Sequence, residues 1–479
     1  MTGETIFIDG RWRGAESGET LPVIDPSTGK AFGALARGGA AEVHDAVHAA
    51  RRSFERSWVG VSPIERGRIL TRLSQRIAEE HDRLADLEAR DVGKPLAQAE
   101  ADIRALSRYC EFYGGAADKL HGETLPYEAG YTVMALREPL GVTAHIIPWN
   151  YPAQMFGRSV IASLAAGNAT VIKPGEDACQ AVLAVAQLAH EVGLPAGVLN
   201  VVTGLGDEAG DALARHPEVD HISFTGSPQT GTLVQQAAAE HNCPVTMELG
   251  GKSPQIVFSD AKAESMMATL YNACVQNAGQ TCSAGSRILI QEDRFDEIVS
   301  ELGQRFAHTR LGPALENPDC GPLISARQHE RVSAMLEEAH SEGLTSQGRA
   351  TLADSIPSGG FYVRPEIFAP VDPEHPLTRR EVFGPVLVAT PFRDEDEAIR
   401  LANHSEYGLV AGVWTSDGGR QLRMSRALNC GQVFVNCYGA GGGVELPFGG
   451  TKRSGFGREK GMEGLKSFTR IKTVAIHHG

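Results

Sequence analysis

Gly141-Val142-Thr143-Ala144-His145-Ile146-Ile147 opens the stretch that decides the fold. A helical run follows, then Ala169-Thr170-Val171-Ile172, a second helix, Val198-Leu199-Asn200-Val201-Val202, a third helix, and His221-Ile222-Ser223-Phe224. Strands alternating with helices at this spacing predict a parallel, doubly wound sheet. Sheets of that kind bind ligands at the carboxyl ends of their strands, which makes the residues there the ones that matter for function. A second alternating block runs from Gln255-Ile256-Val257-Phe258 through Ile288-Leu289-Ile290, Val386-Leu387-Val388 and Leu409 to Val413 to Gln432-Val433-Phe434-Val435. It predicts a second α/β domain.

Upstream, short strands and turns are expected from Ile6 to Ile24, and Asp25-Pro26-Ser27-Thr28-Gly29 is a strong turn signal. Helices follow from Ala40 to Glu55, from Pro63, whose apolar stripe is Ile69, Leu73, Ile77 and Leu84, and from Leu96 to Gly114. The Gly/Pro-punctuated segment from Gly122 to Pro139 suggests a protruding hairpin, and Ile471 to Ile476 suggests a last strand pairing with a neighbouring element or subunit.

A chain of 479 residues exceeds one ordinary core and predicts roughly two to four domains. Lys and Arg number 45 against 59 Asp and Glu, and the resulting charge of −14 works against a phosphate-backbone binder, so no nucleic-acid partner is expected. The 8 cysteines are scattered, with no C-x-x-C pair and no Cys/His cluster at zinc-ligand spacing, which predicts a reducing compartment and no metal. Neither a signal-like start nor a membrane-length apolar run is present, so the expected location is the cytoplasm, with no membrane partner.

Four strand ends carry candidate chemistry. Pro148-Trp149-Asn150-Tyr151-Pro152 sets an amide donor, Asn150, where a helix begins; Lys173-Pro174-Gly175-Glu176 offers a cation and a carboxylate suited to ribose hydroxyls. Phe224-Thr225-Gly226-Ser227-Pro228 provides a helix start with Ser227 as cap, and free amides there favour phosphate. Met247-Glu248-Leu249-Gly250-Gly251-Lys252 places a carboxylate where a base reaches a bound water. Within the second block, ahead of Ile288-Leu289-Ile290, lies Asn277-Ala278-Gly279-Gln280-Thr281-Cys282-Ser283-Ala284-Gly285. A free cysteine is more often a small buried hydrophobe than a catalyst, and a thiol acts as nucleophile only as the thiolate.

With these segments in this order, together with Glu381-Val382-Phe383-Gly384-Pro385 and Pro447-Phe448-Gly449-Gly450, the chain resembles the aldehyde dehydrogenase superfamily over essentially its whole length. The resemblance implies a discontinuous Rossmann-like NAD domain (1–121 and 142–249), a doubly wound catalytic domain (250–445), and a small β oligomerisation element (122–141 and 446–479). It implies that Cys282 attacks the aldehyde carbon, that the Asn150 side chain and the Cys282 amide hold the oxyanion, and that Glu248 activates the water that opens the thioester. NAD would lie along Ile146, Pro148 and Trp149, with Lys173 and Glu176 on the adenosine ribose and Phe224, Gly226, Ser227 and Thr230 at the pyrophosphate. Leu249 and Gly250 would border the nicotinamide end, Glu381 would hold its ribose, and Phe383 would sit beside it. Glu176 favours NAD over NADP, because a carboxylate repels a 2′-phosphate. A homodimer or homotetramer is expected.

On the substrate side, helical spacing sends Asn150, Gln154 and Arg158 along one channel beside Tyr151. Relatives that oxidise succinate semialdehyde are similar here and bind the distal carboxylate with an arginine at this place and a second one six residues before the nucleophile. That second position is Gln276 here, which leaves half a clamp; an ion pair between helices is an equal reading of Arg158. Gly439-Ala440-Gly441-Gly442-Gly443 falls where relatives place bulky tunnel residues and suggests a wide mouth or simply a turn. The expected substrate is therefore an aromatic, long-chain or carboxylate-bearing aldehyde. Two rivals stand beside oxidation to the free acid: a coenzyme A-acylating enzyme, against which Glu248 speaks, and a noncatalytic protein on the same fold, against which Cys282, Glu248 and Asn150 speak together.

Overall fold

The computed structural model describes residues 3–439 and 443–479, with the backbone alone for 263–265. Its first sheet has eight strands in the order Arg11–Arg13, Ile6–Ile8, Leu199–Val201, Ala169–Pro174, Val142–Ile147, His221–Thr225, Val245–Glu248, Gly455–Phe456. The five strands from Leu199–Val201 to Val245–Glu248 pair in parallel, and Val142–Ile147 sits at their centre. Both faces are covered by helices, so these strands are apolar or buried at nearly every position, the pattern expected of a parallel sheet. Helices Ala40–Ser53, Pro63–Glu79 and Leu96–Ala116 lie where sequence periodicity put them. Ser62 caps the second through the Glu65 amide, with Pro63 in its first turn.

The second sheet has seven strands in the order Ser346–Arg349, Glu366–Phe368, Val386–Phe392, Arg287–Gln291, Pro254–Val257, Val410–Trp414, Gln432–Val435. Only the Ser346–Arg349 edge runs antiparallel. The mixed α/β class with two doubly wound sheets is thus as expected.

A three-stranded sheet joins Glu123–Leu125, Tyr131–Pro139 and Thr469–His477, the last two paired over nine residues. This corrects one expected boundary. Of the segment 446–479, only its final strand belongs to that sheet; Gly455–Phe456 completes the first sheet against Met247 and Glu248, and Thr451–Lys452 pairs with Tyr407–Gly408. Strands of two residues carry no periodicity, so the sequence does not announce them. Among the described residues no helix is long and apolar enough to cross a membrane.

Candidate active site

Glu248 ends a strand of the first sheet, and Cys282 lies in the loop that precedes the Arg287–Gln291 strand of the second. The two sheets therefore each bring one reactive group to their common boundary. Contact between them requires glycine: a Cβ on Gly251 would stand 2.3 Å from the Cys282 carbonyl oxygen.

The loop before Cys282 is held from several sides. Asn277, Ala278 and Gly279 take consecutive left-handed conformations, with φ of 48°, 52° and 73°. For the two non-glycines that costs on the order of 1–2 kcal/mol each, and the surroundings must enforce it. They do so with hydrogen bonds: the Asn277 amide donates to Gln98 Oε1 (2.8 Å) and its side chain to the Asn150 carbonyl (2.9 Å). Ile324 N–H donates to Gln280 Oε1 (2.9 Å), and Asn150 Nδ2 donates to the Gln280 carbonyl (2.9 Å). The second hydrogen of the Asn150 amide nitrogen is left for another acceptor. Tyr151 Oη pairs with Thr281 Oγ1 (2.8 Å), and Tyr438 Oη donates to the Ser283 carbonyl (2.6 Å).

Cys282 is partly accessible and packs with Leu409, Val410 and Phe448, bordered by Phe434 and Tyr438. That apolar wall desolvates the thiol and pushes its pKa up to about 11; Arg158 opposes the rise and Glu248 adds to it. Glu248 is 2% exposed, and both its carboxyl oxygens lack a hydrogen-bond partner in the protein. Burial, then the neighbouring Glu459, hold it well above the ordinary carboxylate range, with Arg158 opposing.

Arg158 takes the ion-pair reading in this structure. It is 5% exposed, and its Nε donates to Glu459 Oε2 in a buried ion pair. Its Nη2 stands 3.8 Å from Glu248 Oε2, an electrostatic contact too long for a hydrogen bond, and the guanidinium lies 4.3 Å from the centroid of the Phe448 ring. The expected spacing fails because Phe156–Ile161 winds as a π-helix between Pro152–Met155 and Ala162–Ala166, which takes Arg158 out of α-helical register with Asn150 and Gln154. Gln154 donates to Asp102 Oδ1 (2.6 Å), which engages one of its amide hydrogens; Gln276 is exposed. The wide mouth expected at 439–443 lies largely outside the described residues.

Sequence reasoning missed Glu459, which binds Arg158 and accepts from Ser223 Oγ (2.9 Å). It also missed Lys460, whose ammonium is 5.6 Å from the Phe448 ring and whose pKa burial lowers to about 8. Their one signal was position, directly after the Pro447-Phe448-Gly449-Gly450 motif.

Most of the expected nucleotide residues lie at the carboxyl ends of first-sheet strands, whereas Glu381 and Phe383 come from the chain leading into Val386–Phe392 of the second sheet. Lys173 Nζ meets Glu176 Oε2 at 2.6 Å; burial raises that carboxyl, and Lys173 with a backbone bond brings it net below its usual value. Ser227 caps Pro228–Ala239, accepting from the Thr230 amide at 3.2 Å. Trp149 meets Phe383 edge-on at 5.5 Å. Glu381 Oε1 accepts from Gly251 N–H (2.8 Å), and burial pushes its pKa up to about 7. A Cβ on Gly250 would stand 2.4 Å from Glu381 Oε2, so the chain is kept bare there. Gly226 donates to the Glu248 carbonyl (3.0 Å), while Ile146 and Phe224 are buried within their strands. A paired cation and carboxylate, the N-terminus of a capped helix and a second buried carboxylate fit a dinucleotide.

A thiol, a buried carboxylate and an amide donor stand beside residues that fit a dinucleotide, an arrangement suited to an NAD-linked oxidoreductase. The chain belongs to the aldehyde dehydrogenase family, whose model matches residues 12–474. It is 40% identical over 475 residues to the mitochondrial benzaldehyde dehydrogenase of Antirrhinum majus, covering 98% of this chain and 88% of that one. A solved chain from Burkholderia cenocepacia assigned to the aldehyde dehydrogenases superposes with a TM-score of 0.98 at 58% identity, covering 99% and 100%. Betaine aldehyde dehydrogenase from Staphylococcus aureus, solved with NAD+, superposes at 0.96 with 33% identity, covering 100% and 95%.

Proposed function

We propose that the protein oxidises an uncharged, preferably aromatic aldehyde to its acid with NAD, through a thioester on Cys282. The observation that carries the substrate class is the apolar wall of Leu409, Val410, Phe448, Phe434 and Tyr438 packed around the thiol, together with the engagement of Arg158 by Glu459. The likeness to a benzaldehyde dehydrogenase supports it. NAD rather than NADP is supported by Glu176 and by the NAD+ complex of the Staphylococcus aureus neighbour.

Cys282 Sγ, once deprotonated, adds to the carbonyl carbon; the C–S bond forms as the π pair moves to oxygen. The remaining Asn150 amide hydrogen and the Cys282 backbone amide hold that oxyanion. Lys173, Glu176, Ser227 and Glu381 would hold NAD, which supplies the two-electron acceptor that leaves a thioester on Cys282. Glu248, ionised, takes a proton from water as its oxygen attacks the thioester; the C–S bond breaks, and the thiolate leaves with the acid as product. Glu248 at this place supports hydrolysis over transfer to coenzyme A. The exposed strands Tyr131–Pro139 and Thr469–His477, with Leu136, Ile471 and Ile476 on the surface, support a homo-oligomer built through that sheet.

The test follows NADH absorbance with benzaldehyde, an aliphatic aldehyde and an ω-carboxylate aldehyde, with and without coenzyme A. Cys282→Ala should be inactive, and Glu248→Gln should give a single burst of NADH and then stall. A steady state equal to wild type in Glu248→Gln refutes the base. A preference for the carboxylate aldehyde refutes the substrate class and would point to Lys460 as its cation.

A further inference from the structure

Away from Cys282, the helix Ala40–Ser53 carries His44 and His48 one turn apart, and the segment after Asp211–Ala214 brings His216 against them. His44 Nδ1 lies 3.2 Å from His216 Nε2, and the His44 and His48 rings are 3.9 Å apart. One nitrogen from each of the three falls within 4.8 Å of the others. Two imidazole nitrogens on a tetrahedral ion at about 2.0–2.1 Å are themselves roughly 3.3 Å apart, so the His44–His216 pair already has ligand spacing. The Glu218 carboxylate stands 3.7 Å from His48 Nε2. Nearby, both ring nitrogens of His241 are buried without a hydrogen-bond partner in the protein.

A direct imidazole–imidazole hydrogen bond would explain His44 and His216 alone. It does not explain the third ring, His48, whose centroid lies 3.9 Å from that of His44 at a 45° tilt and 6.1 Å from that of His216 edge-on. We propose that His44, His48 and His216 form a binding site for a divalent transition-metal ion of the Zn2+, Co2+ or Ni2+ class, with Glu218 as the oxygen ligand. Imidazole donors suit these ions, whereas Ca2+ and Mg2+ require oxygen. Coordination through His216 Nε2 places the ring proton on Nδ1, so the 3.2 Å bond that the Glu218 amide donates to Nδ1 is given up. The ion ties the helix Ala40–Ser53 to the chain entering the His221–Thr225 strand. No residue of this cluster belongs to the catalytic set, so its role is structural.

The experiment uses the reduced, metal-stripped full-length protein, titrated with Zn2+ and with Co2+. The wild type should retain one zinc per chain on dialysis, melt at higher temperature with zinc, and give cobalt d–d absorption without thiolate charge transfer. His48→Gln and His44→Gln change exposed or half-buried side chains and should fold, with NAD-linked turnover unchanged in the absence of metal. Each should weaken zinc binding by more than the roughly 10–100-fold that loss of an outer partner costs, and Cys437→Ser, at an exposed thiol, should not. No stoichiometric binding, binding unchanged by the histidine variants, or a cobalt spectrum dominated by sulfur would each overturn the site.

Discussion

Replacing Glu459 by glutamine should move the acidic limb of the pH–rate profile downward. Arg158 is one cation between two carboxylates: Glu459 takes its Nε, while Glu248 stands 3.8 Å from Nη2. With the charge of Arg158 matched by Glu459, burial and Glu459 outweigh Arg158, Arg458 and Lys460 and raise the Glu248 carboxyl well above its ordinary range. Glutamine preserves the shape, and its oxygen can still accept from Arg158 while Ser223 Oγ turns to accept from its NH2. What changes is the charge. Two unit charges about 4 Å apart at an effective dielectric of 20 interact by roughly 4 kcal/mol, an upper bound of about 3 pKa units; a carboxylate gaining an arginine typically falls by about 1–3.

The sign comes from the protonation states. Turnover needs ionised Glu248 for deacylation, so wild-type kcat should rise with pH through a value above the ordinary carboxylate range. In Glu459→Gln the same rise should occur about 1–3 units lower. Steady-state kcat across pH, with burst amplitude to separate acylation from deacylation, reads it directly, and Glu248→Gln should abolish the limb. Because Glu248 can take over as partner of Arg158, the loss of stability should stay below the roughly 3–5 kcal/mol of breaking a buried pair. A limb that stays in place or moves upward would refute the assignment of Arg158 and Glu459 as the groups that set the base.

Local geometry yields three further outcomes. Gly279→Ala would hold alanine at φ 73° with its Cβ 2.1 Å from the Gly384 carbonyl oxygen, so urea denaturation should show a loss of about 2–5 kcal/mol along with activity. Asn150→Ala removes the oxyanion donor and the bond to the Gln280 carbonyl, and kcat should fall about 10²–10³-fold with less change in KM. Lys252 is fully buried with its Nζ unpartnered in the protein, and burial lowers its pKa from 10.5 to about 8. Its native state therefore binds fewer protons than the unfolded chain between those values, and stability rises with pH across that window. Lys252→Met should be more stable than wild type at pH 7, by at most roughly 3 kcal/mol, with the gain vanishing as pH approaches 10.5; a destabilised variant at pH 7 would show that the ammonium has a partner.

The sheets were legible because parallel strands covered on both faces read as unbroken apolar runs, and Val142–Ile147, Ala169–Pro174 and His221–Thr225 all do. Cys282, Glu248 and Asn150 were legible because each sits in a short motif at a strand end or before one. Of the two readings of Arg158, the ion pair is the one the structure shows, and the sequence could not choose it for two physical reasons. A π-helical stretch looks like any helix in sequence, and the partner that claims the side chain is 301 positions away. The histidine cluster failed the same way: His44 and His48 show helical spacing, but the third ring comes from 172 positions downstream. Contacts that local periodicity does not encode appear only when the sheet closes.

Burial at this site shapes both its apolar lining and its electrostatics. Leu409, Val410 and Phe448 pack against Cys282, and desolvation pushes the thiol up to about 11 and raises Glu248 well above the ordinary carboxylate range. A dry wall and an ionised nucleophile are therefore in conflict, and the chain resolves it by keeping one buried cation, Arg158, within electrostatic reach of both groups while matching its charge with Glu459. An unmatched arginine would ionise Glu248 permanently and attract carboxylates into the channel. The Arg158–Glu459 pair thus keeps the base raised above the ordinary carboxylate range and, in the proposed reaction, favours an uncharged aldehyde over a carboxylate-bearing one.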